Sequence, residues 1–367
     1  MRKSSKIALI SISSIIGVLM LAVLAYVLYV MIQYSRIEDN VELETENGQS
    51  LILERKDKYT IATYNIGFGA YGHDFSFFMD EGVMNDGTRV VGKYGKSISK
   101  EHTKQNTEGA ISELGKLNPD FILLQEVDEK SSRTRGIIQT DMIKDSFKDY
   151  SYTYCSDFHT AYLLYPFNDP HGKTEAGLVT LSRYRIDSSI RRSYPVPDGF
   201  SKFFDLDRCF SIHRIPVNNG KELVLINSHM SAYDKGGVTR AKQLEMLMKT
   251  MMEEYDKGNY VIVGGDFNHI LGEDFEDAFP SWQQTPGWIA VLDEDLIPKH
   301  FEIATAENAM EVPTCRSADI PWEKGVNFTT IVDGFIVSDN ISYETMNIDN
   351  DFIYSDHQPV LMTFKLK

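Results

Sequence analysis

The sequence predicts a single α/β domain carried behind one N-terminal membrane-spanning helix. An uncharged apolar run over residues 7–32 opens the chain, and an ordinary globular composition follows it. From Tyr59 to the C-terminus, short runs rich in β-branched and aromatic residues recur, with turn signals between them and a few helical patterns among them. No Pro/Gly/Ser linker, composition shift or internal repeat divides that region. The 367 residues are therefore read as a cytoplasmic tip and anchor over 1–36, a polar stalk over 37–58 and one domain over 59–367.

The apolar run is 26 residues long, enough to cross a bilayer as a tilted helix. A secretory signal peptide is the competing reading, but its apolar region usually covers only ~7–15 residues before a small-residue cleavage site. An uncleaved anchor is expected, with the lipid bilayer as its partner. A buried helix of a soluble protein would show a polar face, and this run has none. Arg2, Lys3 and Lys6 precede it, whereas Arg36 is followed by Glu38 and Asp39. By the positive-inside rule the N-terminus is cytoplasmic and the domain lies outside.

With 42% hydrophobic and 25% charged residues, the body can bury a sizeable core and is not a disordered chain. The formal charge is −16, from 37 basic against 53 acidic residues, and without the four basic residues beside the anchor it is 33 − 53 = −20. Such a field repels polyanions at long range, so nucleic acid is a disfavoured partner. A phosphate substrate remains open, because a bound cation and local arginines invert the field inside a cleft. Arg183, Arg191, Arg192 and Arg316 are candidates to offset the acidic field near the cleft, with a solvated surface charge the ordinary reading of each. Cys155, Cys209 and Cys315 include no CxxC pair, so neither a zinc site nor a disulfide framework is expected, and at most one disulfide can form.

Strands are expected over 59–67, 121–127, 178–184, 209–217, 222–229, 260–266, 328–337 and 359–366. Asn219-Gly220 is a hairpin turn between two of them. Residues 237–256 read as an amphipathic helix, since Leu244, Leu247, Met248, Met251, Met252 and Tyr255 recur at helical spacing as a core stripe. A shorter helix over 107–117 is stopped by Asn118-Pro119. Residues 68–106 show no clear periodicity and are expected to make a long surface excursion.

Several strands end in a polar residue, the arrangement by which an apolar scaffold holds reactive groups rigidly at a surface. Asn65 ends the first, where alone it is as readily a turn former. Glu126 ends the second, and a carboxylate there needs a counter-charge or a cation. In Val261-Ile-Val-Gly-Gly-Asp-Phe-Asn268, Asp266 and Asn268 share one side if the strand continues. The two glycines before them clear space for a backbone or a phosphate. His229 leaves Leu225-Ile-Asn-Ser-His, Asp356 and His357 stand side by side ahead of the last strand, and Asp333 interrupts an apolar run. Singly, each has an ordinary reading: an ion pair for Asp333, a strand-end surface imidazole for His229.

The ordered series Asn65, Gln125-Glu126, Asn227-Ser228-His229, Gly265-Asp266-Phe267-Asn268, Asp333 and Ser355-Asp356-His357-Gln358-Pro359 resembles the endonuclease/exonuclease/phosphatase superfamily. Its members include DNase I-like nucleases, abasic-site endonucleases, neutral sphingomyelinases and inositol polyphosphate 5-phosphatases. The likeness spans about residues 59–367. Smaller pieces, Gln125-Glu-Val-Asp128 with Arg133, Gly177 with Leu181-Ser-Arg183, and Arg240 with Gln243, are similar to a bacterial metal-dependent hydrolase branch.

The resemblance implies a DNase I-like four-layer α/β/β/α sandwich whose strand ends converge on one cleft, and Mg²⁺ or Mn²⁺ as cofactor. The acids and amides of the motifs are hard oxygen ligands that suit those ions. Residue by residue, it implies Glu126 as principal metal ligand, Asn65 assisting and Asp356 as a further contact. Asp266 and His357 are the candidates for orienting and deprotonating an attacking water, with Asp333 holding the His357 ring. Asn268 and His229 would donate to the non-bridging phosphoryl oxygens. The remaining histidines share no spacing and are read as ordinary.

The implied activity is hydrolysis of a phosphoester substrate outside the membrane, by a phosphodiesterase or phosphatase. An extracellular nuclease and a catalytically inactive binding module on the same fold are the alternatives. Net acidity is unhelpful to the first, and the intact motif set argues against the second. Substrate choice is assigned to loops 68–106, 155–176, 192–207 and 270–327, in which no specificity is legible.

Overall fold

Alternation along the central strands decides the layering in the computed structural model, which describes residues 3–196, 206–232 and 238–367. In β3 (Lys58–Asn65) and β6 (Phe121–Asp128), Ile61, Phe121 and Leu123 point to one side while Ala62, Tyr64, Ile122 and Leu124 point to the other. In β11 (Glu222–His229) and β12 (Tyr260–Asp266), Leu223, Leu225 and Ile262 join the same inner cluster as Ile61 and Leu123. Their neighbours Val224, Ile226, Val261 and Val263 face outward onto Leu244, Leu247, Met248 and Met251 of helix α4 (Val238–Asp256). Both faces of each sheet are therefore covered, and the strands read as near-continuous apolar runs.

Two seven-stranded sheets result. The first runs β1 (Val41–Glu42), β9 (Ser188–Ser193), β10 (Cys209–Pro216), β11, β12, β16 (Asp333–Ser338), β13 (Phe301–Ile303). The second runs β17 (Ile341–Asn347), β18 (Val360–Leu366), β3, β6, β8 (Glu175–Ser182), β7 (Ser151–His159), β2 (Thr45–Glu46). Helices α2 (Lys100–Leu117) and α3 (Gln139–Ser146) cover the outside of the second sheet through Ala110, Leu114 and Ile143. This is the expected four-layer sandwich. Within it β3 runs parallel to β6 and β11 parallel to β12, so each pair brings its C-terminal ends to one edge. Asn65 is then level with Gln125, His229 with Asp266, and Asp266 with Asp333.

Several expectations shift in detail. The run 328–337 is not one strand: Thr329–Thr330 pairs with Cys315–Arg316 in a separate ribbon, and β16 begins at Asp333. The break falls where Thr314 Oγ1 takes the N–H groups of Val332 and Asp333, at 3.0 and 3.1 Å. Helix α2 begins seven residues before position 107, because the Ser99 side chain caps it by accepting from the His102 N–H. Residues 68–106 are not a bare excursion. They supply a ribbon, Glu81–Val83 with Arg89–Val91, and a buried aromatic cluster of Phe68, Tyr71, Phe75 and Phe77. Residues 37–58, expected as a stalk, contribute edge strand β1 to one sheet and β2 to the other. Arg191 is buried rather than solvated, and its guanidinium donates to the carbonyls of Ser156, Glu38 and Asp207. Residue 237 of the expected long helix, and 197–205 of one expected specificity loop, lie outside the described residues.

Helix α1 (Lys3–Gln33) is apolar on every side and mostly exposed, with a mean hydropathy of 2.8 over its best window. Its C-terminal third meets the domain. Val30 is buried, Tyr26 Oη donates to the Tyr162 carbonyl and accepts from the Leu164 N–H, and Tyr29 Oη accepts from the Tyr162 N–H.

Gly265 sits at φ 148°, where a Cβ would meet the Ser228 carbonyl oxygen at 1.9 Å. Gly265→Ala is expected to cost about 3 kcal/mol of stability, read from the denaturant midpoint of the full chain in detergent; a shift under ~0.5 kcal/mol contradicts the close approach. His213 is fully buried between the hydroxyls of Ser189 and Ser211, and burial pushes its pKa from 6.5 down to about 3. The unfolded chain takes up that proton first, so stability falls as pH drops from 6.5 toward 3. His213→Gln should flatten the slope of unfolding free energy against pH in that window, and an unchanged slope refutes the assignment.

Candidate active site

The site begins with a bulge. Glu126 adopts φ 54° where the β6–β8 register shifts between Leu124 and Val127, and the extra residue turns its carboxylate out of the ladder. The facing sheet fills the gap. Asn227 Nδ2 donates to the carbonyls of Leu124 and Val179 at 3.2 and 3.0 Å, and Asn227 Oδ1 accepts from Gln125 Nε2 at 2.8 Å. These amides are fully buried, and the hydrogen bonds offset what their desolvation costs.

Beyond the bulge, Asp128 receives a bidentate pair from Arg133 at 2.9 and 2.7 Å, both side chains being buried. The guanidinium lies 4.0 Å from the centre of the Phe68 ring. Phe68 is the middle of a left-handed turn, Gly67, Phe68 and Gly69, at φ 49°, 40° and 65°. That turn passes so close to Asp356 that a Cβ on Gly67 would lie 3.0 Å from its Oδ1, and the Gly67 N–H donates to Asn65 Oδ1 at 3.0 Å.

The eight residues expected from the sequence all gather at this edge. Asp266 is the hub. Its Oδ2 accepts from Asn65 Nδ2 at 3.0 Å and lies 3.5 Å from His229 Nε2 and 3.8 Å from His357 Nε2, while its Oδ1 accepts from the Asn268 N–H at 2.8 Å. Asn65 Nδ2 also reaches Glu126 Oε1 at 3.4 Å. Asn65 thus turns its amide nitrogen to the site, its oxygen being held by Gly67. His357 Nδ1 meets Asp333 Oδ2 at 2.8 Å, which leaves Nε2 toward Asp266. Asn268 Nδ2 donates to the Met230 carbonyl at 2.9 Å. Glu126, His229, Asp266, Asn268, Asp356 and His357 line a cavity of about 810 Å³, and Asn65 and Asp333 stand behind them.

Burial sets the electrostatics. For His357 it works against the charged ring, but Asp333, Cys315 and Asp266 override it and raise the pKa well above the ordinary value. Burial pushes Asp333 up to about 6 against the opposing pull of His357. It does the same to Asp356, opposed by His357 and Arg316 and reinforced by Glu126. Asp333 Oδ1 has no hydrogen-bond partner among the described residues. The nearby Glu126 charge raises the cost of ionising Asp356, and a pair of carboxylates beside one cavity is a donor set that a hard cation relieves, so the residues fit Mg²⁺ or Mn²⁺. Asp266, Asp333 and His357 also offer ligand atoms within 4.8 Å of one another.

Three neighbours escaped the sequence reading. Asp157, buried at a second bulge in β7, lies 3.5 Å from His229 Nδ1, and neither of its oxygens has a hydrogen-bond partner among the described residues. A carboxylate in an aromatic strand is the same anomaly that marked Asp333, but the strand itself was not recognised. Arg208 is 4% exposed and lines the cavity, with Nε and Nη1 unpartnered among the described residues. Arg316, expected at the surface, is 2% exposed and donates to the carbonyls of Tyr71 and Gly72.

A family model described as the endonuclease/exonuclease/phosphatase family matches residues 62–357. No curated protein sequence gives a significant match. Among solved structures, an endonuclease/exonuclease/phosphatase from Beutenbergia cavernae DSM 12333 is similar at 15% identity and TM-score 0.55, over 85% of this chain and 72% of that one. TDP2 from D. rerio, complexed with a single-strand DNA product, is similar at 15% identity and TM-score 0.52, over 84% of this chain and 99% of that one. ANGEL2, a 2',3'-cyclic phosphatase, is similar at 15% identity and TM-score 0.52, over 90% of this chain and 99% of that one. At such identities these likenesses establish the fold.

Arg133→Ala would leave Asp128 buried without its cation. The expected cost is about 3–5 kcal/mol, and Arg133→Lys should not restore it, since an ammonium lacks the planar fork. Denaturant midpoints of the three proteins check this, and a loss below ~1 kcal/mol for Arg133→Ala contradicts it.

Proposed function

Since the chain belongs to the endonuclease/exonuclease/phosphatase family, whose members hydrolyse phosphoester bonds, we propose that it is a divalent-metal-dependent phosphodiesterase or phosphatase acting outside the membrane by water attack on phosphorus. The observation that carries the reading is the meeting of His357, Asp266 and His229, drawn from both sheets, around one buried carboxylate at the cavity floor.

Glu126 and Asp356 would hold Mg²⁺ or Mn²⁺, which when bound neutralises charge on a phosphoryl oxygen. Asn65 steadies Glu126 and Asp266 by donating to both. Asp333 fixes the His357 ring by its Nδ1, so that Nε2 faces Asp266 across 3.8 Å. Asp266 orients the attacking water and takes its proton, while the His357 ring, whose charged form its neighbours favour, donates to the phosphoryl group. His229, backed by Asp157, and the Asn268 amide donate to non-bridging oxygens as charge builds there. Arg208 adds a cation to the same cavity, its Nε and Nη1 unpartnered among the described residues.

The test uses the full chain in detergent with bis(p-nitrophenyl) phosphate. Turnover should vanish with EDTA and return with Mg²⁺ or Mn²⁺, Glu126→Gln should need about tenfold more metal for half-maximal rate, and His357→Ala should lose about 100-fold or more in kcat with the fold retained. EDTA-resistant turnover refutes the metal, and a near-normal rate for His357→Ala refutes the site.

A further inference from the structure

We propose that the substrate is a membrane phospholipid, which enters the cavity sideways from the outer leaflet beside α1. The inference rests on the phosphoesterase reading above and on α1 crossing the bilayer. Its starting point is that the cavity is partly made of the anchor: Ala22, Val23 and Tyr26 of α1 form one wall of the same space that has Asp266, His229 and His357 at its floor.

The depth of that wall follows from helix geometry. The uncharged run over residues 7–32 is about 39 Å long at 1.5 Å per residue, more than the ~30 Å hydrocarbon thickness of a bilayer, so with Ile7 at the inner boundary the run leaves the hydrocarbon near residue 26. Tyr26, Tyr29 and Tyr34 follow at once, the residue type that settles at the headgroup level. With the apolar span in the hydrocarbon, Ala22 to Tyr26 lies at the boundary between acyl chains and headgroups. That wall of the cavity therefore stands at the level of the lipid phosphates.

The domain presents a matching surface there. Tyr162, Leu164, Tyr165 and Phe167 are 42%, 40%, 60% and 82% exposed, and the backbone of this loop is tied directly to Tyr26 and Tyr29. An exposed apolar tip of this kind beside a membrane helix is stable when it dips into the interface. Phe68, Phe77, Phe78 and Phe158 continue the apolar lining, and the buried Arg208 lines the same space with its Nε and Nη1 unpartnered among the described residues. A cavity that joins an apolar lining to a guanidinium and two imidazoles matches a phosphate attached to acyl chains. Supply from the leaflet also needs no long-range attraction, which a chain of net charge −16 does not provide for a dissolved polyanion.

In the reaction, the oxygen of water forms a bond to phosphorus and one ester P–O bond breaks. The departing oxygen keeps the bonding pair and takes up a proton, and the water gives one to the protein, so the net change is addition of one water.

The full chain is reconstituted in vesicles containing phosphatidylcholine, phosphatidylethanolamine, phosphatidylglycerol and sphingomyelin. Loss of each lipid is compared with turnover of deacylated glycerophosphodiesters, bis(p-nitrophenyl) phosphate and a single-stranded oligonucleotide. At least one lipid should show kcat/KM about 100-fold or more above its deacylated counterpart. Phe167→Asp should lower the ratio of lipid to bis(p-nitrophenyl) phosphate turnover at least tenfold, and Phe167→Leu should restore it. If bis(p-nitrophenyl) phosphate is hydrolysed while the deacylated diesters or the oligonucleotide match the lipids, the lipid inference falls and the hydrolase reading stands. If nothing is turned over, both fall.

Discussion

The carboxamide of Asn227 crosses the inner layer of the sandwich, and the placement of the site depends on where it lands. A buried amide in an apolar layer is tolerated only when its hydrogen bonds are made. Asn227 makes them with Leu124, Val179 and Gln125, all in the opposite sheet and all beside the Glu126 bulge. Apolar side chains alone would let two sheets slide a little at small cost, whereas these bonds exist in one relative position. That position sets Asn65 and Glu126, from one sheet, against His229, Asp266 and Asp333, from the other.

Asp266 then serves as the common acceptor across the seam. Its two oxygens gather an amide from β3, an imidazole from β11, a backbone N–H two residues on, and the ring ahead of β18. Each contact also orients its donor, so the cluster is organised before any substrate arrives, which is the condition for electrostatic stabilisation at low reorganisation cost. The left-handed Gly67-Phe68-Gly69 turn belongs to the same scheme, since it closes on Asp356 from one side and holds Asn65 Oδ1 from the other.

What the sequence made legible was polarity in the wrong place. A carboxylate or amide at the end of an apolar strand stands out against its neighbours, and Glu126, Asp266, Asn268 and Asp333 were visible for that reason. The layers were legible because buried strands read as unbroken apolar runs. Burial achieved by remote partners was not legible. Arg316 owes its burial to carbonyls of Tyr71 and Gly72, some 244 residues away, and Arg208 gives no local sign at all. Asp157 was hidden because β7, which alternates buried and half-buried residues near an edge, lacks a continuous apolar run. The break at Thr314 that splits the run 328–337 depends on a hydroxyl from outside it. The seat of α1 could not be read either, since a helix apolar on all sides carries no mark of which face meets the domain.

That seat gives α1 a second meaning. All eight residues of the cluster come from the sandwich, while Ala22, Val23 and Tyr26 supply only a wall. A domain separated from α1 would therefore keep its polar centre intact and lose one side of its chamber. Loss of the helix would act on the shape of the chamber and leave the polar cluster as it was.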